Sequence, residues 1–258
     1  MTAKAPTIDR SRDMEEKSWW DLWNTSHRSK DDNDPVSVEL FSRAASAVNE
    51  ITCASPCRVL EIACGTGTLS RMIRYSSYHG LDISPAAIEI ASQKSRQIER
   101  ACDGDAPIYE AADFHEWPLP ERPFDLVICV DAISSIRDQD VAMRKIAQAL
   151  RRGGSLVLTT INRFVYDRIR RDGGVRLESG PVSHWLSRGD LHALVRQAGL
   201  VVEKSYTIMP RGNMGFLRVV NSPRLNRAFG PRFEGVLKHE KERLGLGQYS
   251  VVVAQKVQ

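Results

Sequence analysis

The sequence predicts an α/β fold in which one doubly wound, mostly parallel sheet carries helices on both faces. Three observations support that prediction. Short apolar runs alternate along the chain with segments of helical period, the pattern of consecutive strand–helix units. One run, Phe124–Val130, is apolar almost throughout, as a strand buried on both faces requires. A glycine-rich turn, Ala63-Cys64-Gly65-Thr66-Gly67, follows the first run directly, where such sheets receive a ligand.

The elements follow in order. Residues 1–17 are polar and read as loose, and Ser18–Trp23 then holds three of the five tryptophans. Asp34-Pro35 starts a helix, with Asp as cap and Pro in the first turn, and Val38, Phe41, Ala45 and Val48 form its apolar face. Val59–Ile62 is the first strand, and Leu69, Met72 and Ile73 suit a helix after the glycines. Tyr78–Ile83 is the second strand, followed by a helix opening at Ser84-Pro85. Ile108–Ala111 and Phe124–Val130 are strands three and four. Met143, Ile146 and Leu150 mark a helix that Gly153-Gly154 stops. Leu156–Thr160 is strand five. Ser187–Asp190 reads as a capping box for a helix with Leu191, Leu194, Val195 and Ala198 inward and Gly199 at its end. Leu200–Val202 and Tyr249–Ala254 close the set. Two Arg-rich stretches, about 162–186 and 208–247, fall outside this alternation. They read as cap elements on the domain 35–258, with residues 1–34 as an N-terminal segment or lid.

Composition bounds the function. Of 258 residues, 42% are hydrophobic and 26% charged, enough to bury a full core. The net charge of +4 is mildly basic, short of a protein that coats nucleic acid. The five cysteines lack the spacing of a disulfide framework, and no zinc-ligand set completes Cys53 and Cys57. No metal is therefore expected. Met1–Asp13 lacks the apolar run of a signal peptide, and no stretch reaches the about 20 apolar residues that span a bilayer. The expectation is a soluble cytoplasmic protein, monomeric or homodimeric.

The ligand is read from acids as much as from glycines. Asp82 ends strand two some twenty residues after the glycine turn, where a carboxylate accepts ribose hydroxyls. That placement alone suits NAD equally. Two features oppose NAD. Ser70 stands where the third glycine of G-x-G-x-x-G belongs, and Glu61 puts an acid just before the turn. A carboxylate repels a pyrophosphate but attracts a sulfonium or an ammonium. The ligand implied is an adenosine with a positive tail.

With these residues in place, the sequence resembles the class I S-adenosylmethionine-dependent methyltransferases, in particular the UbiE-like, "type 11" small-molecule group. The matching segments are Val59–Gly67, Gly80–Pro85, Ala112–Phe114, Phe124–Val130, Leu150–Thr159 and Trp185–Gly199, in the family's order over roughly residues 55–205. Ala63 replaces the family's usual first glycine. The resemblance implies a seven-stranded Rossmann-like sheet, order 3-2-1-4-5-7-6, with the last strand antiparallel. It also implies residue roles. Glu61, Ala63, Gly65 and Gly67 would hold the methionine part of the cofactor. Asp82 would bind ribose and Ile83 pack on adenine. Asp113 would take the adenine amino group, with Phe114 flanking the ring. Val130 and Asp131 would lie next to the reactive methyl group. The N-terminal helix often closes over the cofactor in this family, so Trp20 would wall the cleft and Arg28 pair with the cofactor carboxylate.

Methyl transfer needs alignment first, and a base only when the acceptor must lose a proton. Asp131, His184 and His27 are the candidate bases, with His115 a further histidine near the adenine acid; the plainer reading of each histidine is a surface or packing residue. Arg168, Arg170, Arg171, Arg211, Arg218, Arg224, Arg227 and Arg232 either form a solvated basic face or recognise an acidic group on the acceptor. The leading expectation is O- or N-methylation of a small molecule, of the kind that tailors a natural product. No nucleic-acid or membrane partner is expected. Asp131-Ala132-Ile133-Ser134 is not the Asn/Asp-Pro-Pro-aromatic run of base-modifying amino methyltransferases. A nucleic-acid or ribosomal methyltransferase, and a non-catalytic S-adenosylmethionine-binding protein, are the alternatives.

Overall fold

The computed structural model describes residues 10–26, 34–53, 57–97, 104–168, 184–210 and 231–257, with single positions 55, 217, 219, 221 and 222 between them. Seven strands build the sheet: β1 (Arg58–Ile62), β2 (Ser77–Asp82), β3 (Ile108–Ala111), β4 (Phe124–Val130), β5 (Leu150–Ile161), β6 (Leu200–Pro210) and β7 (Gly247–Lys256). Their order is β3-β2-β1-β4-β5-β7-β6. Neighbours from β3 to β5 pair in parallel, and β7 is antiparallel to both β5 and β6. The expected topology is therefore the observed one.

Helices α1 (Arg10–Ser26), α2 (Pro35–Thr52), α3 (Pro85–Gln97), α4 (Gln139–Ala149), α5 (Arg163–Tyr166), α6 (Arg188–Gln197) and α7 (Pro231–Arg243) surround this sheet. Strand alternation sorts the core into two layers. Val127 and Cys129 of β4 join Met143, Ile146 and Leu191 on one face. Leu126, Ile128 and Val130 join Leu40, Ala44 and Val48 of α2 on the other. Each fully buried Leu or Ile contributes about 2 kcal/mol by leaving water. Asp34 caps α2 by accepting from the Ser37 N–H at 2.9 Å, with Pro35 in the first turn. Ser187 and Asp190 form the reciprocal capping box of α6.

Four local expectations change. The helix expected after the glycine turn is only a 3₁₀ turn, Leu69–Arg71. The Ser70 hydroxyl donates to the Gly67 carbonyl, Asn49 takes the Arg74 N–H, and β2 begins at Ser77, so no room remains for α-helical turns. Gly153-Gly154 does not stop a helix: α4 ends at Ala149, and the glycines lie inside β5, which starts at Leu150. β6 extends through Pro210, into the stretch expected as a cap. The segment from Arg10 is helical rather than loose: Asp21 bonds Ser84 and Ala86 at the start of α3, Glu16 pairs with Arg137, and Trp19 packs on Trp20 and Trp23.

In the first cap stretch, Asn162 pairs with Leu186 in an isolated bridge, and Arg168 lies over the Phe164 ring at 3.9 Å. Arg170, Arg171, Arg211, Arg218, Arg224 and Arg227 lie outside the described residues, and for Arg232 only the helical backbone is described. Among the described residues, no helix is long and apolar enough to cross a membrane.

Candidate cofactor-binding cleft

The cleft opens at the carboxyl ends of β1, β2 and β4 and encloses about 820 Å³, counting its mouth. The turn after β1 is tight. Cys64 N–H donates to the Leu81 carbonyl at 2.9 Å, and Gly67 N–H to the Cys64 carbonyl at 3.1 Å. Ala63, Gly65 and Gly67 all have left-handed backbone, with φ of 55°, 53° and 71°. Glycine suits that region and alanine does not, so Ala63 carries strain of about 1 kcal/mol. A Cβ on Gly67 would stand 2.8 Å from the Tyr109 hydroxyl and 3.1 Å from the Ala91 methyl. Close packing under the turn, as well as its backbone, therefore requires glycine there.

Asp82 is 7% exposed at the end of β2 and ties two loops together. One carboxylate oxygen accepts from the Gly65 N–H at 2.8 Å and the other from the Ser84 N–H at 2.9 Å. Asp113 follows β3 and accepts from the His115 N–H at 2.8 Å. Its other oxygen lies 3.6 Å from Arg137 Nη2. Ile83, Phe114 and Val130 add apolar walls, and Lys145 lies over the Phe114 ring at 5.3 Å.

Asp131 lines the cleft just past β4. Its φ is 53°, and its N–H is shared between the Thr159 carbonyl and hydroxyl, both at 3.0 Å. Those two bonds from β5 hold a strained backbone whose cost is of order 1 kcal/mol.

Ala63, Gly65, Asp82, Ile83, Asp113, Phe114, Val130, Asp131 and Trp20 thus meet in one cleft. The other candidate residues lie elsewhere. Glu61 is 1% exposed and lies behind the turn. Strand alternation turns it away from Ile62, which lines the cleft, and it accepts the Tyr78 hydroxyl. Burial and then the Glu61 charge push the Tyr78 phenol well above its usual pKa. Gly67 lies with this tyrosine layer rather than on the cleft. His184 is exposed: its backbone N–H donates to Ser134 and its carbonyl accepts from Gln139, which hold it beside the cleft and not in it. His27 and Arg28 lie outside the described residues. His115 lines the cleft, with its Nε2 2.7 Å from the Arg137 carbonyl. Among the described residues, no three His, Cys, Asp or Glu side chains group as metal ligands.

The sequence reading missed Glu16, Asp21, Asn24 and Arg137. Glu16, Trp20 and Asn24 recur every four residues and form one stripe of α1 facing the cleft. The spacing was a readable signal once the segment counts as a helix. Asp21 accepts from the Ser84 hydroxyl at 2.6 Å and the Ala86 N–H at 3.3 Å, fixing α1 to the amino end of α3.

The donor set decides the ligand's charge. Among the described residues, four carboxylates, Glu16, Asp82, Asp113 and Asp131, line the cleft against one guanidinium, Arg137. A pyrophosphate would meet like charge here, and a sulfonium with an ammonium would meet opposite charge. The residues present therefore fit S-adenosylmethionine.

Comparison with known proteins agrees. A family model described as "Methyltransferase domain" matches residues 37–205, well over half of the chain. An uncharacterized methyltransferase of Anoxybacillus flavithermus is 28% identical over 50% of this chain, which spans 60% of that relative's length. A ubiquinone biosynthesis O-methyltransferase of Xylella fastidiosa strain M23 is 27% identical over 72% of this chain and 74% of its own. The crystal structure of magnesium protoporphyrin IX methyltransferase from Synechocystis PCC 6803 with bound S-adenosylmethionine superposes with a TM-score of 0.64. It covers 98% of this chain and all of that one at 13% identity, a likeness of fold. S-adenosylmethionine is the cofactor to which this family and this donor set point, and the chain belongs to the methyltransferase-domain family.

Proposed function

We propose that this protein transfers a methyl group from S-adenosylmethionine to an oxygen or nitrogen of a small-molecule acceptor, as in a natural-product tailoring step. The observation that carries this reading is the acidic wall of the cleft, which favours a cationic nucleoside over a dinucleotide. Asp82 accepts the ribose hydroxyls, Asp113 accepts from the adenine amino group, and Ile83 and Phe114 flank the ring. Ala63 and Gly65 lie along the methionine part. α1 acts as the lid, with Glu16, Trp20 and Asn24 inward. When bound, the sulfonium supplies an electrophilic methyl group. Asp131 orients the acceptor and takes its proton as the new bond forms, and the aromatic and apolar wall excludes water. The Xylella relative, named for an O-methylation, supports an oxygen acceptor.

The test is transfer of tritium-labelled methyl groups to a panel of phenols, alcohols and amines, with tRNA as a control. Label is expected on a small molecule, and Asp131→Asn is expected to lower kcat by about a hundredfold, far more than it weakens cofactor binding. Label on RNA alone would favour a nucleic-acid methyltransferase. Cofactor binding without transfer to any acceptor would favour a non-catalytic binding protein.

A further inference from the structure

Arg137 belongs to no helix or strand, yet it joins three parts of the cleft. Its Nε lies 3.1 Å from Glu16 of α1, and its Nη2 lies 3.6 Å from Asp113. Its carbonyl lies 2.7 Å from His115 Nε2, a contact in which the ring N–H donates. The His115 N–H in turn donates to Asp113. Arg137 thus meets the segment that carries Asp113 through both its main-chain carbonyl and its Nη2, while its Nε meets the lid.

Glu16 is 7% exposed, so its carboxylate has left water on seating. A carboxylate brought that close to Asp113 would be repelled by it. Arg137 lies between the two acids and converts that repulsion into two attractions. Removing the guanidinium leaves like charges facing each other across the closed lid, an arrangement that favours the open one.

We infer that Arg137 is a positioning residue that couples seating of α1 to the orientation of Asp113. The lid closes, and the cofactor is retained, through the Glu16–Arg137–Asp113 bridge. This rests on the assignment of the cleft to S-adenosylmethionine. It adds that the residence time of the cofactor is set from outside the residues that line its ribose and methionine parts. Asp21 holds α1 to α3 independently, so loss of the bridge loosens the lid at its Glu16 end without detaching the helix.

The test measures dissociation of S-adenosylhomocysteine by stopped flow and amide exchange over residues 10–26, in wild type, Arg137→Gln, Arg137→Lys, Glu16→Gln and the double Glu16→Gln/Arg137→Gln variant. The product ligand in wild type is expected to slow exchange over α1. Arg137→Gln and Glu16→Gln should each speed dissociation by about tenfold and lose most of that protection. The double variant should be little worse than either single one. Arg137→Lys, which keeps the charge and loses the fork, should fall between. In steady state, KM for the cofactor should rise by more than kcat changes. A guanidinium that only supports the fold would lower the melting temperature and leave the dissociation rate and α1 protection as in wild type, which would overturn the inference while leaving the cofactor assignment intact. A wild-type protein that does not bind S-adenosylhomocysteine would overturn both.

Discussion

At the end of the cleft assigned to adenosine, each acid is fixed by unstrained local bonds: Asp82 by two N–H groups, Asp113 by one N–H and a guanidinium. At the end assigned to methyl transfer, Ala63 and Asp131 stand in left-handed backbone, and Asp131 depends on Thr159 of a neighbouring strand. The first region spends its hydrogen bonds on holding carboxylates in place. The second holds the backbone of Ala63 and Asp131 out of its preferred range where both line the cleft. On the proposed assignment, the adenosine end is built from relaxed parts and the methionine and acceptor end from strained ones, as strain is commonly distributed around active sites.

The largest expected effect tests the layer beneath the turn. Gly67→Ala adds a Cβ 2.8 Å from the Tyr109 hydroxyl at a φ of 71°. Denaturant titration should show a loss of about 3 kcal/mol from strain and overpacking together. A loss below about 1 kcal/mol would mean the tyrosine layer yields and the turn is not rigidly supported. Tyr78→Phe comes next. It removes the hydroxyl that donates to the buried Glu61, and about 1–2 kcal/mol should be lost. An unchanged midpoint would show that water reaches Glu61 in place of the phenol. The smallest effect has the opposite sign. Ala63→Gly relieves the left-handed alanine and should raise stability by about 0.5–1 kcal/mol. A lower melting temperature would remove Ala63 from the strained set and weaken the contrast between the two ends.

The same contrast explains what the sequence disclosed. Asp82 and the glycines act through bonds to residues within a few positions or through one loop contact, so their spacing pointed to a nucleotide turn, whereas the role of Asp113 came only with the family resemblance. The strand order followed from the sequence of motifs that carried the family resemblance. Glu16, Asn24 and Arg137 reach the cleft through tertiary packing. The first two needed the segment from Arg10 to be read as a helix, and the third lies where no periodicity operates. Glu61 was placed on the ligand because its position in the motif is right, whereas the period of two along β1 turns it to the opposite face. His184 drew notice as a titratable side chain near a late helix, but its backbone bonds to Ser134 and Gln139 leave the ring exposed. The 3₁₀ turn replaced an expected helix because side-chain bonds from Ser70 and Asn49 compete for the backbone there.

The most direct test of the central claim is calorimetric titration with S-adenosylmethionine and, separately, NAD, in wild type and Asp82→Ala. Micromolar binding of S-adenosylmethionine alone is predicted, weakened in the variant by about 1.5–3 kcal/mol, the scale of lost charged hydrogen bonds. Preference for NAD, or tight S-adenosylmethionine binding that survives loss of Asp82 unchanged, would contradict the account.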